Sequence, residues 1–180
     1  MSADDRARWD GRYLQSGPAE PGLSPVFAPY ADRFPTTGSA LDIACGSGSA
    51  AVWLALRGLS VTGVDISEVA IGCARELAVQ RGVSVRCRFE VADLDDGLPA
   101  GSPVDVVVCQ HFRDTRLDSA IMGRLVPGGL LAISALSEVG ATPGRFRVPA
   151  GELPRAFPGL AVEAAGEADG VAWLLGRRVV

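Results

Sequence analysis

The sequence predicts an α/β fold: a mostly parallel sheet covered on both faces by helices. Three observations predict it. From Ser39 onward, strand-like and helix-like segments alternate with short connections, the pattern of β-α units feeding a parallel sheet. Val104–Cys109, VDVVVC, is nearly all apolar, as a strand buried on both faces has to be. Ala40–Ala51, ALDIACGSGSAA, reads as a short buried strand that breaks into a glycine loop and then a helix.

The elements follow in order. Residues 4–15 predict a short amphipathic helix with Trp9 and Tyr13 four apart on one face. A loop at Gly17, Pro18, Pro21 and Gly22 leads to Ser24-Pro25, an N-cap and first-turn pair for a helix reaching about Arg33. This 1–34 segment either packs passively on the domain or closes over a pocket with Trp9 or Tyr13 facing a ligand. Strands are expected near 39–44, 60–65, 84–91, 104–109 and 129–136, and helices near 49–57, 67–80 and 116–125. Ser67 is expected to cap the second of these helices, with Glu68 favourable in its first turn. Pro127-Gly128-Gly129 is expected to end the third.

Val83–Val91 alternates strictly, with Val83, Val85, Cys87, Phe89 and Val91 on one face and Ser84, Arg86, Arg88 and Glu90 on the other. One wet face predicts an edge strand. The third strand then lies at the rim and the first and fourth near the middle, which puts the glycine loop beside the topological switch point where open α/β sheets bind ligands. Residues 149–157 predict one short helix, and Leu160–Gly166 and Val171–Val179 two strands joined by a tight turn at Asp169-Gly170. No repeats, low-complexity tracts or linkers interrupt the chain. One domain over 1–180 is expected, with a covering segment 1–34, a cofactor-binding core 39–136 and a terminal hairpin 159–179.

Composition narrows the function. A 180-residue chain supports one sizeable core but not a cofactor domain plus a separate substrate domain. A formal charge of −4 gives no electrostatic footprint for nucleic acid or an anionic membrane. The polar, acidic start MSADDRARWD lacks a signal peptide, and no apolar run approaches membrane-spanning length, so a cytoplasmic location is expected. Cys45, Cys73, Cys87 and Cys109 are widely spaced and only one histidine occurs, so neither a metal site nor a disulfide framework is indicated. All 17 basic residues are arginine, which excludes Schiff-base and lysine general-base chemistry.

Gly46-Ser47-Gly48-Ser49-Ala50-Ala51 fits G-x-G-x-x-(G/A), a dinucleotide-binding pattern. Asp42, inside the strand just ahead of the loop, would place a negative charge close to a pyrophosphate. The same acid suits a cationic, phosphate-free cofactor. Asp65 ends the second strand, where a carboxylate can accept both hydroxyls of a ribose. Asp93 follows the third strand and is placed to accept from an adenine amino group. Asp42 would lie near a sulfonium and amino end, where its charge is favourable. Each acid alone also reads as a cap or a solvated loop residue; three at the ends of successive strands do not.

LDIACGSGSAAVWLA, VTGVDIS, VADLDD, DVVVCQHF and PGGLLAIS, in that order, resemble the motifs of class I S-adenosylmethionine-dependent methyltransferases over residues 39–136. The terminal hairpin matches that fold's last two strands. RWDGRYLQSGPAEPGLSPVF resembles the opening of the small tellurite-resistance and thiopurine-type members. The resemblance implies a Rossmann-like, seven-stranded, mostly parallel sheet with a C-terminal antiparallel hairpin. It further implies that Asp42, Gly46 and Gly48 hold the methionine part, Asp65 the ribose, and Asp93 with Leu94 the adenine, with Ala44, Ser47, Ile66 and Cys109 alongside. Cys109-Gln110-His111 stands where nucleic-acid and amide methylating members carry (Asn/Asp/Ser)-Pro-Pro-(Tyr/Phe), so those substrates are not expected.

Methyl transfer is an in-line displacement at an activated carbon, and a hydroxyl acceptor also has to lose a proton. His111, just past the fourth strand, is the candidate base; an exposed or capping histidine is the alternative. Trp9, Tyr13, Arg113 and Glu138 are candidate contacts to a small-molecule acceptor. The acceptor atom stays open between a hydroxyl or carboxylate oxygen and a thiol or chalcogen. Without an insertion domain the pocket is expected to be open, or completed by the N-terminal segment or by a second subunit of a homodimer. Two rival readings are a nicotinamide-dependent oxidoreductase and a non-catalytic cofactor-binding domain.

Overall fold

The computed structural model describes residues 3–144 and 146–179. They form a seven-stranded sheet of order β3-β2-β1-β4-β5-β7-β6, and the chain divides into two compact units, Met1–Ala100 and Gly101–Val180.

The first unit holds α1 (Ala3–Gln15), β1 (Ser39–Ile43), α2 (Ser49–Leu56), β2 (Ser60–Asp65), α3 (Glu68–Gln80) and β3 (Cys87–Val91). The three strands are parallel, with Ile43 opposite Val64 and Asp65 opposite Val91. α2 is apolar nearly all round and buries Ala50, Ala51, Val52, Leu54 and Ala55. α3 buries Ala70, Ile71, Ala74, Leu77 and Ala78 along one stripe at helical spacing. Ser67 caps α3 as expected, its hydroxyl accepting from the Ala70 N–H at 3.1 Å.

Two expectations need correction here. No α-helix runs from Ser24 to Arg33; the segment forms a turn and a 3-10 stretch at Ala28–Arg33, with Tyr30 off helical geometry at φ −111°, ψ 19°. Pro29 has no N–H to donate and its ring crowds the preceding turn, so an α-helix does not propagate through it. The third strand starts at Cys87 because Ser84–Arg86 forms a 3-10 turn. That turn puts Val85 at 94% exposure, while Phe89 is 5% exposed. The strict alternation of Val83–Val91 is therefore partly turn geometry, although β3 does lie at the rim.

The second unit holds β4 (Val104–Cys109), α4 (Asp118–Arg124), β5 (Leu125–Leu136), α5 (Glu152–Ala156), β6 (Leu160–Ala168) and β7 (Val171–Arg178). β4 is buried along nearly all its length. Pro127-Gly128-Gly129 does not end the helix, which stops at Arg124. It lies inside β5, where the register steps from Val104–Leu125 to Val106–Leu130. The extra residues are taken up as a bulge, a place where proline and glycine sit in a strand without breaking it. β7 is antiparallel to both β5 and β6. Asp169 (φ 50°) and Gly170 (φ 78°) make the hairpin turn, both left-handed as a two-residue turn of this kind requires.

Candidate cofactor and active site

The glycine loop is built by left-handed backbone. Ala44, Gly46 and Gly48 have φ of 53°, 53° and 81°, and the last is the N-cap of α2. A Cβ at Gly48 would stand 2.7 Å from the Ala74 Cβ and 3.1 Å from its Cα. Gly48 thus lets α2 and α3 approach, a packing role beside the ligand-facing one its motif suggested. A Cβ at Gly46 would stand 2.5 Å from the Tyr13 hydroxyl, so the backbone there faces α1.

Asp65, 7% exposed, organises the loop. Its Oδ2 accepts from the Gly46 N–H at 2.8 Å and its Oδ1 from the Ser67 N–H at 3.0 Å. Each oxygen keeps further lone-pair capacity for a hydroxyl donor. Burial pushes this carboxyl up, and the backbone N–H groups of Ser67, Gly46 and Ile66 counter part of that shift.

Asp42 is more isolated. It is 2% exposed, and its Oδ2 has no hydrogen-bond partner. Burial pushes its carboxyl up to about 8, opposed by the Ala51 N–H and reinforced by Asp65. A buried carboxylate oxygen without a partner is costly, and a cationic ligand group is its natural complement.

α1 covers this region. Asp10 Oδ1 accepts from the Ser67 hydroxyl, with the Val69 N–H at 3.4 Å. Tyr13 is the aromatic residue that reaches the loop, and burial, then the Asp65 carboxylate, keep its phenol protonated. Trp9 stacks with Tyr13 at 6.2 Å between ring centres, and the Arg8 and Arg12 guanidinium groups lie 5.8 and 5.2 Å from its ring centre. The only sequence signal that Asp10 carries is its place between the two aromatics in RWDGRY.

The remaining first-unit candidates are placed as follows. Asp93 is the N-cap of a 3-10 turn over Leu94–Asp96, its Oδ1 accepting from the Asp95 N–H at 3.0 Å. Leu94 and Ile66 are buried, at 2% and 3% exposure. Ser47 is half-buried in the loop.

In the second unit, Cys109 is buried at the end of β4, its thiol donating to the Phe112 carbonyl at 3.5 Å. His111 is exposed, with a left-handed backbone at φ 57°. Partial burial moves its imidazole below its ordinary value. Glu138 is exposed in the loop after β5, its N–H donating to the Val148 carbonyl at 3.0 Å.

Arg113 departs from the expectation of an acceptor contact. Its side chain is 6% exposed, and its donors go to both oxygens of Glu152 and both of Asp118. The guanidinium also lies 5.6 Å from the Phe157 ring centre. Asp118 opens α4 and Glu152 opens α5, so Arg113 staples two helix starts rather than waiting for a ligand. Partners 5 and 39 residues away leave no local signal.

A glycine loop after β1, an acid closing β2 and this strand order with its antiparallel hairpin define the Rossmann-like architecture of class I methyltransferases. The chain belongs to the methyltransferase domain family, whose sequence profile matches residues 40–129, half of the chain. A ubiquinone biosynthesis O-methyltransferase from Xylella fastidiosa is 33% identical over 131 residues, covering 67% of this chain and 52% of the relative. The chain thus spans about half the length of that relative. A protein whose structure was solved for the conversion of a disulfide bond into a thioacetal group during echinomycin biosynthesis is 25% identical. The match has a TM-score of 0.70 and covers 97% of this chain and 93% of that one. The magnesium protoporphyrin IX methyltransferase of Synechocystis PCC 6803, solved with bound S-adenosylhomocysteine, has a TM-score of 0.68 at 18% identity, over 98% and 94% of the two chains. Membership of this family favours S-adenosylmethionine as the cofactor over the nicotinamide and non-catalytic readings.

Proposed function

We propose that the chain transfers the methyl group of S-adenosylmethionine to a small-molecule acceptor, with an oxygen, thiol or chalcogen atom as nucleophile. The unpartnered, buried Oδ2 of Asp42 beside the glycine loop carries the cofactor half of this reading. When bound, the cofactor supplies an electrophilic methyl on a positively charged sulfur. Asp42 provides the counter-charge, Asp65 accepts from the ribose hydroxyls with its spare lone pairs, and Asp93 accepts from the adenine amino group. α1 excludes water, with Tyr13 against the loop. His111 takes the proton from a hydroxyl acceptor as the new bond forms; a thiolate needs no such help. The O-methyltransferase relative supports an oxygen acceptor, and the echinomycin neighbour supports sulfur.

Asp42 gives the cofactor site a pH dependence. The folded, ligand-free chain keeps the Asp42 proton up to about pH 8, whereas the unfolded chain loses it near ~4. This group's contribution to apo stability is therefore complete below ~4 and fades as pH rises towards 8. Cofactor binding has the opposite sign, because facing a cation requires the proton to leave. Affinity for S-adenosylmethionine is expected to rise by about tenfold or more between pH 6 and pH 8 and then level off. Calorimetric titrations across that range should show the rise, and Asp42→Asn should flatten it. A flat wild-type profile would contradict the role.

The acceptor is found with labelled methyl donor and a panel of phenolic, sugar, carboxylate and thiol compounds. On a hydroxyl acceptor, His111→Ala is expected to lower kcat at neutral pH by about 10²-fold; on a thiol it should change little. An unchanged kcat on a hydroxyl acceptor would remove His111 from the mechanism.

A further inference from the structure

We propose that Ser134 is a positioning residue for His111: its buried hydroxyl holds the His111 backbone in the left-handed conformation that aims the imidazole. The inference rests on the reading of His111 as the base.

Two observations carry it. First, His111 is neither glycine nor one of the turn residues of the hairpin, yet it sits at φ 57°, two residues beyond the end of β4. Left-handed backbone is uncommon outside glycine, although histidine enters it more readily than most residues. Second, the last β4–β5 pair is Cys109 with Ile133, and the next β5 residue is Ser134. The His111 N–H donates not to a strand carbonyl but to the Ser134 Oγ, at 3.2 Å. The bond takes over where the ladder stops.

The setting of Ser134 argues against a purely structural hydroxyl. Leu130, Leu131, Ala132, Ile133, Ser134 and Ala135 are all fully buried, and Ser134 is the one polar side chain in that run. An alanine would suit the strand equally well, because its neighbours are apolar and the ladder is made by backbone groups. A hydroxyl is required only if something needs its lone pair. The group that uses it is the N–H of the residue whose imidazole the reaction would use. A backbone turned to the left-handed region at this point redirects the side chain relative to an extended continuation of β4, so the hydrogen bond determines where the base points.

The histidine is the only one in the chain, which makes the test direct. Labelling the full-length protein with [¹³C,¹⁵N]-histidine gives one backbone amide and one imidazole to follow by NMR. In the wild type the His111 amide should be protected from solvent exchange, and its Cα shift and HN–Hα coupling should report a positive φ. Ser134→Ala should abolish the protection, move the Cα shift to extended or right-handed values and shift the imidazole resonances. Ser134→Thr, which keeps the hydroxyl, should restore the wild-type pattern. S-adenosylhomocysteine binding should be unchanged in both, since Ser134 lies outside the proposed cofactor contacts. An unprotected amide or a negative φ in the wild type would overturn the proposal without any variant. Unmoved His111 resonances in Ser134→Ala would overturn it as well. These spectra need no acceptor, so their failure leaves the base reading standing, and a harmless His111→Ala in the transfer assay would sink that reading whatever the spectra show.

Discussion

Asp65→Ala is expected to lower the affinity for S-adenosylhomocysteine by on the order of 10³-fold. The size of the effect comes from two losses at once. The carboxylate accepts from the Gly46 and Ser67 N–H groups at 2.8 and 3.0 Å, so it ties the glycine loop to the start of α3. Removing it leaves two buried donors unpaired, each costing about 1–3 kcal/mol, and lets the loop relax away from its binding geometry. In our account the same oxygens also receive the ribose hydroxyls. Calorimetry and the apo melting temperature separate the two contributions. Asp65→Asn keeps one acceptor and should fall between wild type and alanine. An Asp65→Ala protein that binds within about threefold of wild type would show that the loop organises itself and that the ribose is held elsewhere.

Arg113→Leu is expected to destabilise the fold by about 3 kcal/mol, lowering the melting temperature by roughly 6–12 °C. The side chain is 6% exposed against partners at 22% and 17%, so water screens this triad only in part. Losing the guanidinium strands two carboxylates against each other and takes away the cation over Phe157. Asp118 and Glu152 favour their helix starts in isolation, which offsets a little of the cost. Cofactor affinity should stay within about twofold, since none of these residues contacts the glycine loop in our account. A shift below about 2 °C would mean that the triad is solvated and that the arginine is available to a ligand.

Much of the framework was legible because it depends on short-range chemistry. The apolar run of β4, the serine cap of α3 and the Asp169-Gly170 turn each carry their reason within a few residues. The closeness of the glycine loop to Asp42 and Asp65 was legible from their places at the ends of β1 and β2, whereas Asp93 caps its own turn after β3. What escaped was decided by competition or by distance. Pro29 overrode a good cap signal at Ser24, and a 3-10 turn overrode the alternation around Val85. The Pro-Gly-Gly triplet reads as a terminator, yet a strand with a paired neighbour absorbs it as a bulge. The second duty of Gly48 depends on Ala74, 26 residues on, and the staple formed by Arg113 on Glu152, 39 residues on. Asp10 and Ser134 were missed for the same reason: their partners, Ser67 and His111, lie 57 and 23 residues away.

We assign to the loop from Ala44 to Gly48 and the carboxylates around it the binding of a cationic, phosphate-free nucleoside cofactor. Titrating the full-length chain with S-adenosylmethionine, S-adenosylhomocysteine and NADH by calorimetry at pH 8 tests it most directly. Saturable binding of both sulfur compounds at one site per chain is expected, weakened by Asp65→Ala, with no binding of NADH. Binding of NADH with no heat from either sulfur compound would contradict it.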